Sequence, residues 1–152
     1  MNFEPEILRT NSDNPDFINL VKQLDADLAE RDGSEHDFYA QFNKIDKIKH
    51  AVVAYDRGVP VSCGAIKQYD DAAMEVKRMF TLPESRGKGI ASLVLNALEE
   101  WAKELSYEKC VLETGKKQPE AIALYTKNGY AVIPNYGQYE GIENSVCFEK
   151  KL

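Results

Sequence analysis

The stretch EVKRMFTLPESRGKGIASLVLNALEEWA, residues 75–102, decides how this chain folds. Its opening, through Leu82, reads as a strand. Its close repeats apolar residues every three or four positions, with Ile90, Leu93, Val94, Ala97, Leu98, Trp101 and then Leu105 as the stripe of a long helix. Between them, PESRGKGIAS (residues 83–92) alternates two glycines with two basic residues. A strand, a tight glycine turn and a helix N-terminus aim successive backbone N–H groups at one spot, where the helix dipole favours negative charge. Arg86 and Lys88 add charge-assisted donors. The other reading of the same residues is a surface turn that starts a helix and binds nothing. Two better-known phosphate loops fit poorly. A P-loop needs an earlier glycine and a Ser or Thr after the lysine, where this chain has Gly89, and the dinucleotide fingerprint needs a third glycine.

Upstream of this unit, FEPEILRT is a short strand, and NPDFINLVKQLDADLAERDG a helix capped by Asn14, with Pro15 in its first turn. Its buried stripe is Phe17, Leu20, Val21, Leu24 and Leu28. EHDFYAQFNKI predicts a second, shorter helix. HAVVAYD and VPVSCGAIKQY then flank the hairpin signal DRG and lead into the strand that begins at Met74. Downstream come the strand KCVLET, the helix PEAIALYTKNG bounded by Pro119 and Gly129, and the strands YAVIP and SVCFEKKL. The order β, α, α, β, β, β, α, β, α, β, β predicts a mixed α/β fold with a mainly antiparallel front half.

Composition sets the outer bounds. A chain of 152 residues, 43% hydrophobic and 29% charged, is long enough for a real core and is read as one domain spanning residues 1–152. A net charge of −6 argues against gripping nucleic acid through its phosphates. No apolar run reaches bilayer-spanning length and no leader pattern opens the chain, so the expected address is the cytoplasm, with no membrane partner. Cys63, Cys110 and Cys147 are an odd, widely spaced set inside apolar segments, as buried thiols are, and two histidines without helical pairing give no case for a metal.

Arg86, Gly89 and Ala91 fit the Q/R-x-x-G-x-G/A signature, and the strand, loop and helix around them resemble the GNAT superfamily of acyl-CoA-dependent N-acyltransferases over residues 75–102. QPEAIALYTKNGY (residues 118–130) resembles that family's next block, and the order of elements follows it throughout. The resemblance implies a twisted, mostly antiparallel sheet of about seven strands flanked by four helices. It implies acetyl-CoA as cosubstrate, its diphosphate held by Arg86, Gly87, Lys88, Gly89, Ile90, Ala91 and Ser92, and its pantetheine arm by main-chain groups of Met79, Phe80 and Thr81. Gln118 stands where many relatives carry a coenzyme-contacting asparagine. Dimers are common among relatives, so a homodimer is one expected assembly.

Transfer of an acyl group from a thioester to an amine makes three demands. An alkyl ammonium with a pKa of about 10.4 must lose its proton, at about 4–5 kcal/mol at neutral pH. Glu75 is the candidate base: a carboxylate on a central strand needs a partner or a cleft, and it lies where some GNAT enzymes place a catalytic glutamate. Pairing with Lys77 or Arg78 is its structural alternative. Strand alternation puts Met74, Val76, Arg78 and Phe80 on one face and Glu75, Lys77 and Met79 on the other. A developing oxyanion needs a donor, implied by the family to be an amide of this strand. The leaving thiolate needs a proton, and Tyr125 occupies the position of the family's usual acid, its alternative being a core aromatic. His36, Tyr136 and Tyr139 are candidates for lining an acceptor pocket, the alternative for His36 being an ordinary exposed histidine. The acceptor is expected to be a small amine or an amino-acid-like molecule. The rival readings are an enzyme acting on protein lysines or N-termini, and a non-catalytic acyl-CoA-binding module.

Overall fold

In the computed structural model, which describes residues 5–32 and 47–152, one seven-stranded sheet is ordered β1-β2-β3-β4-β5-β7-β6. Its strands are β1 (Glu6–Thr10), β2 (His50–Asp56), β3 (Val59–Gln68), β4 (Ala73–Thr81), β5 (Lys109–Gly115), β6 (Ala131–Ile133) and β7 (Ser145–Lys151). The helices among the described residues are α1 (Pro15–Asp32), α2 (Ile90–Glu104) and α3 (Pro119–Lys127). The expected helix over residues 35–45, and His36 with it, lies outside the described residues.

Local chemistry explains the element boundaries. The Asn14 Oδ1 accepts the amides of Asp16 and Phe17 at 2.9 and 3.0 Å, capping α1 as expected. Arg57 and Gly58 both have positive φ, 53° and 81°, which is the turn geometry that lets β2 and β3 twist into a hairpin. At the end of α3, Gly129 takes φ 91°, its N–H reaching the Thr126 carbonyl while the Tyr130 N–H reaches that of Tyr125. This is a Schellman closure, and it ties down the backbone of Tyr125 itself.

Apolar layers cover both faces of the sheet. Phe17, Leu20, Val21 and Leu24 of α1 pack on Ala51, Val53, Cys63 and Ala65. On the other face, Val94, Leu95, Leu98 and Ala102 of α2 pack with Met74, Val76, Leu112, Tyr125 and Phe148. The buried arc of α2 is rotated from the expected stripe: Leu95 and Ala102 are inside, whereas Leu93 and Leu105 are about 40% exposed. Spacing alone leaves the choice between adjacent arcs open, and packing on Met74, Val76, Leu112 and Phe148 decides it.

Two irregularities shape the centre. Cys63 pairs with Phe80 and Ala65 with Lys77, so Gly64 alone faces both Arg78 and Met79, and Arg78 takes a left-handed φ of 60°. This bulge reverses strand parity. The expected single face for Met74, Val76, Arg78 and Phe80 is therefore corrected: Met74 and Val76 join the α2 side, whereas Phe80 joins the α1 side. Gly64 is the residue the bulge requires, since a Cβ there would lie 2.5 Å from the Met79 Sδ. Second, β4 and β5 run parallel but pair only at Ala73–Lys109, Met74–Cys110 and Glu75–Val111. Beyond those three pairs the strands part, and β5 continues with β7 alone as its partner.

Candidate active site

The gap between β4 and β5 opens into two adjoining cavities. The larger, of about 390 Å³, is a groove walled by Met79, Phe80 and Thr81 of β4, the turn residues Ser85, Arg86, Gly87 and Gly89, the start of α2, and one side of α3. Ten of the eleven residues expected to hold a cofactor line it: Met79, Phe80, Thr81, Arg86, Gly87, Gly89, Ile90, Ala91, Ser92 and Gln118. Lys88, between the two left-handed glycines, is exposed and does not line the groove.

Gly87 and Gly89 have φ of 80° and 79°, and no atom lies within 4 Å of where a Cβ would stand on either. Gly89 is the N-cap of α2 and supplies no side-chain cap. The first helical bond runs from the Leu93 N–H to the Gly89 carbonyl at 3.2 Å, so the amides before Leu93 in the turn have no helical acceptor. A cradle of amides at an uncapped helix start, with space where side chains would be, suits a diphosphate. The Arg86 Nε donates to the Thr81 carbonyl at 3.0 Å and its guanidinium lies 5.8 Å from the Phe80 ring, which fixes it on the groove wall. The Asn128 amide donates to the Ser92 hydroxyl (3.1 Å) and the Leu124 carbonyl (2.9 Å), bracing α3 against the first turn of α2.

The smaller cavity, of about 100 Å³, lies deeper in the gap, against Glu75, Lys77, Arg78, Glu113, Gln118 and Tyr139. Tyr125 borders both cavities and is 6% exposed. Burial, and then the charge of Glu113, push its phenol above the ordinary tyrosine value, so it stays protonated at neutral pH. Glu75, 8% exposed, accepts a 2.5 Å hydrogen bond from the Tyr136 hydroxyl and one of 3.4 Å from Lys77. Glu75 thus has a lysine partner and lines a cavity. Burial, followed by the negative charge and hydrogen bond of Glu75, raises the Tyr136 phenol strongly. The Tyr136 ring meets Tyr69 at 4.8 Å and Tyr139 at 5.8 Å, edge to face, which seats the 134–144 loop over the cavity.

Glu113, Ser145 and Asn128 escaped the sequence reading. The Ser145 hydroxyl donates to the Glu113 Oε2 at 2.7 Å. A glutamate inside the strand KCVLET carried the same signal that singled out Glu75. Nothing local marks Ser145 or Asn128, whose partners are 32 and 36 residues away. The three cysteines are buried, and burial pushes Cys63 and Cys110 up to about 12 and Cys147 up to about 11, which leaves them protonated and inert.

Known proteins resemble this chain in sequence and fold. An IAA acetyltransferase of Azospirillum brasilense is 33% identical over 137 residues, 89% of this chain and 90% of that protein. A Klebsiella pneumoniae crystal structure assigned as an acyl-CoA N-acyltransferase superposes with a TM-score of 0.83 at 29% identity, covering 99% of both chains. A GNAT family acetyltransferase from Elizabethkingia anophelis, solved with acetyl-CoA bound, shares the fold at TM-score 0.69 and 17% identity, over 97% of this chain and 98% of that one. The family model for the acetyltransferase (GNAT) family matches residues 16–130. With its bulged β4, parted β4 and β5, and glycine cradle, the chain is an enzyme belonging to the GNAT acetyltransferase family.

Proposed function

We propose that this enzyme transfers an acetyl group from acetyl-CoA to the primary amine of a small-molecule acceptor, by direct attack within a ternary complex. One observation carries the reading. The groove with the amide cradle and the cavity with the carboxylates share a wall of Leu24, Met79, Gln118, Ala121 and Tyr125, in which the buried Tyr125 supplies the one phenol.

Acetyl-CoA, when bound, supplies an activated thioester. Main-chain amides of residues 87–92 and the Arg86 guanidinium would hold its diphosphate, and the bulged stretch Met79–Thr81 would hold the arm that leads to the sulfur. Glu75 receives the proton that the attacking amine gives up, either directly or through a water. The new bond joins the amine nitrogen to the carbonyl carbon, and the bond broken is carbon to sulfur. Tyr125 gives its hydroxyl proton to the departing sulfur and regains one from solvent, while Glu75 passes its own to solvent. Burial raises the tyrosine's pKa, and the same desolvation raises the proton affinity of a thiolate beside it, so the donor remains matched to its acceptor. Tyr136 and the 134–144 loop close the acceptor side, which favours small acceptors over a protein segment.

Calorimetry with CoA and acetyl-CoA, followed by thiol release across a panel of small amines and lysine peptides, tests this reading. Micromolar coenzyme binding and faster turnover of small amines are expected. No affinity for either coenzyme form would refute it.

A further inference from the structure

The base of the 134–144 loop is closed on itself. The Asn135 side-chain amide donates to the Ile142 and Ser145 carbonyls at 3.0 and 3.1 Å, and the Ser145 N–H reaches the Ile142 carbonyl at 3.1 Å. The sheet order puts β5 between β7 and β4, so the loop reaches across it as a preformed strap when Tyr136 meets Glu75. There the Tyr136 hydroxyl donates to the Glu75 Oε2 at 2.5 Å. The other carboxylate oxygen meets the Lys77 Nζ at 3.4 Å, longer than an ordinary hydrogen bond. A glutamate has several side-chain torsions to fix, and the Tyr136 contact is the short, directional one. Tyr136 is held in its turn. Its ring meets that of Tyr69 edge to face at 4.8 Å, and a Cβ on Gly137 would stand 3.6 Å from the Tyr69 hydroxyl, which lays the loop backbone against Tyr69. Tyr69 stands on a tight turn: its N–H reaches the Ala73 carbonyl at 2.9 Å, and the Asp70 Oδ1 accepts the amides of Ala72 and Ala73 at 2.9 and 2.8 Å. The Tyr69 side chain adds little to the core, being 42% exposed, and its ring contact is with the strap.

We propose that Tyr136 is a positioning residue for the base: its hydroxyl fixes the direction of the Glu75 carboxylate toward the acceptor amine, and Tyr69 fixes Tyr136. This rests on the acetyltransferase reading above, with Glu75 as base, and adds to it the residues that aim that base. Neither tyrosine exchanges a proton in the reaction. A carboxylate aimed in advance needs no ordering when the acceptor arrives, and a fixed orientation of this kind lowers the barrier. A role confined to fastening the loop makes different predictions for activity.

The test is a double-mutant cycle of Tyr136→Phe and Glu75→Gln, read as thiol release from acetyl-CoA on the fastest primary amine of the small-amine panel. Tyr136→Phe keeps the ring and its contacts with Tyr69 and Tyr139. It is expected to lower kcat by about 10- to 100-fold, the worth of a hydrogen bond to a charged group, with acceptor KM and CoA affinity within about two-fold. In the Glu75→Gln background the same change should matter by less than about two-fold, because no base is left to aim. Equal losses in both backgrounds, or no loss in the wild-type one, would overturn the proposal and leave Glu75 as base. Tyr69→Ala should lower kcat several-fold, and Tyr69→Phe, which retains the ring, should recover most of that loss; a Tyr69→Ala enzyme at wild-type kcat would overturn the part given to Tyr69. A Glu75→Gln enzyme as fast as wild type would instead remove the base assignment and the proposal with it, and failure to bind CoA would remove the acetyltransferase reading. Crystal structures need no acceptor. In Tyr136→Phe the Glu75 carboxylate should leave its place while the loop backbone keeps its own, and an unmoved carboxylate would overturn the proposal even where no amine of the panel turns over.

Discussion

Gly64→Ala probes the bulge that organises both cavities. A Cβ at this position would stand 2.5 Å from the Met79 Sδ, 2.8 Å from the Leu98 Cδ1 and 3.0 Å from the Val94 Cγ1. Ordinary carbon contacts lie near 3.5–4.0 Å, so these atoms must retreat by roughly 0.5–1 Å. Met79 ends in a flexible thioether and yields at little cost. Val94 and Leu98 are fully buried on α2, so relief there means displacing the helix. Overpacking of this kind costs about 1–3 kcal/mol. For a protein of this size that is a fall in Tm of roughly 3–10 °C. The same displacement carries the first turn of α2, with its amide cradle, and Met79 lies on both cavities. Thermal unfolding should therefore drop, and coenzyme affinity measured by calorimetry should weaken several-fold in the same variant. A variant with wild-type Tm and wild-type coenzyme affinity would refute the claim that the bulge and α2 are packed around an absent side chain.

Other perturbations separate the remaining roles. Tyr125→Phe removes one hydroxyl from a buried ring and should lower kcat by about 100-fold or more while coenzyme affinity stays within about two-fold; an unchanged kcat would strip Tyr125 of its proton-donor role. Glu75→Gln keeps an acceptor for Tyr136 but takes no proton, so its rate deficit should be greatest at low pH, where the amine is almost wholly protonated, and should shrink as pH rises; a constant deficit across pH would assign Glu75 to structure. Lys150→Met strands the 8%-exposed Glu99, whose Oε1 it meets at 2.9 Å. About 2 kcal/mol is expected, less than for a fully buried pair because the lysine is 28% exposed, and adding Glu99→Leu should restore most of it in a denaturant titration.

Much of this architecture was legible because local chemistry agreed with the global fold. Asn14 with Pro15, Arg57 with Gly58, and Pro119 with Gly129 punctuate the chain where caps and turns are observed. The cradle was legible for the same reason, since left-handed glycines at a helix start leave a local trace. The bulge left none: strand alternation assumes constant parity, and the extra residue at Arg78 is imposed by packing of Gly64 under α2. That is why Phe80 was placed on the wrong face of the sheet yet still borders the groove. Glu113 and its Ser145 partner meet only because β5 and β7 pair, a long-range event with no local signature.

The short parallel seam between β4 and β5 has a mechanical side. Seven strands cross the molecule, but its two halves share three rungs at one end and are joined elsewhere through α2 and its apolar bed. Any molecule lying in the gap touches β4 on one flank and α3 on the other, and so acts as a removable splint across the fracture line. A ligand bridging that line is expected to slow amide hydrogen exchange on both flanks at once, along β4 and along α3.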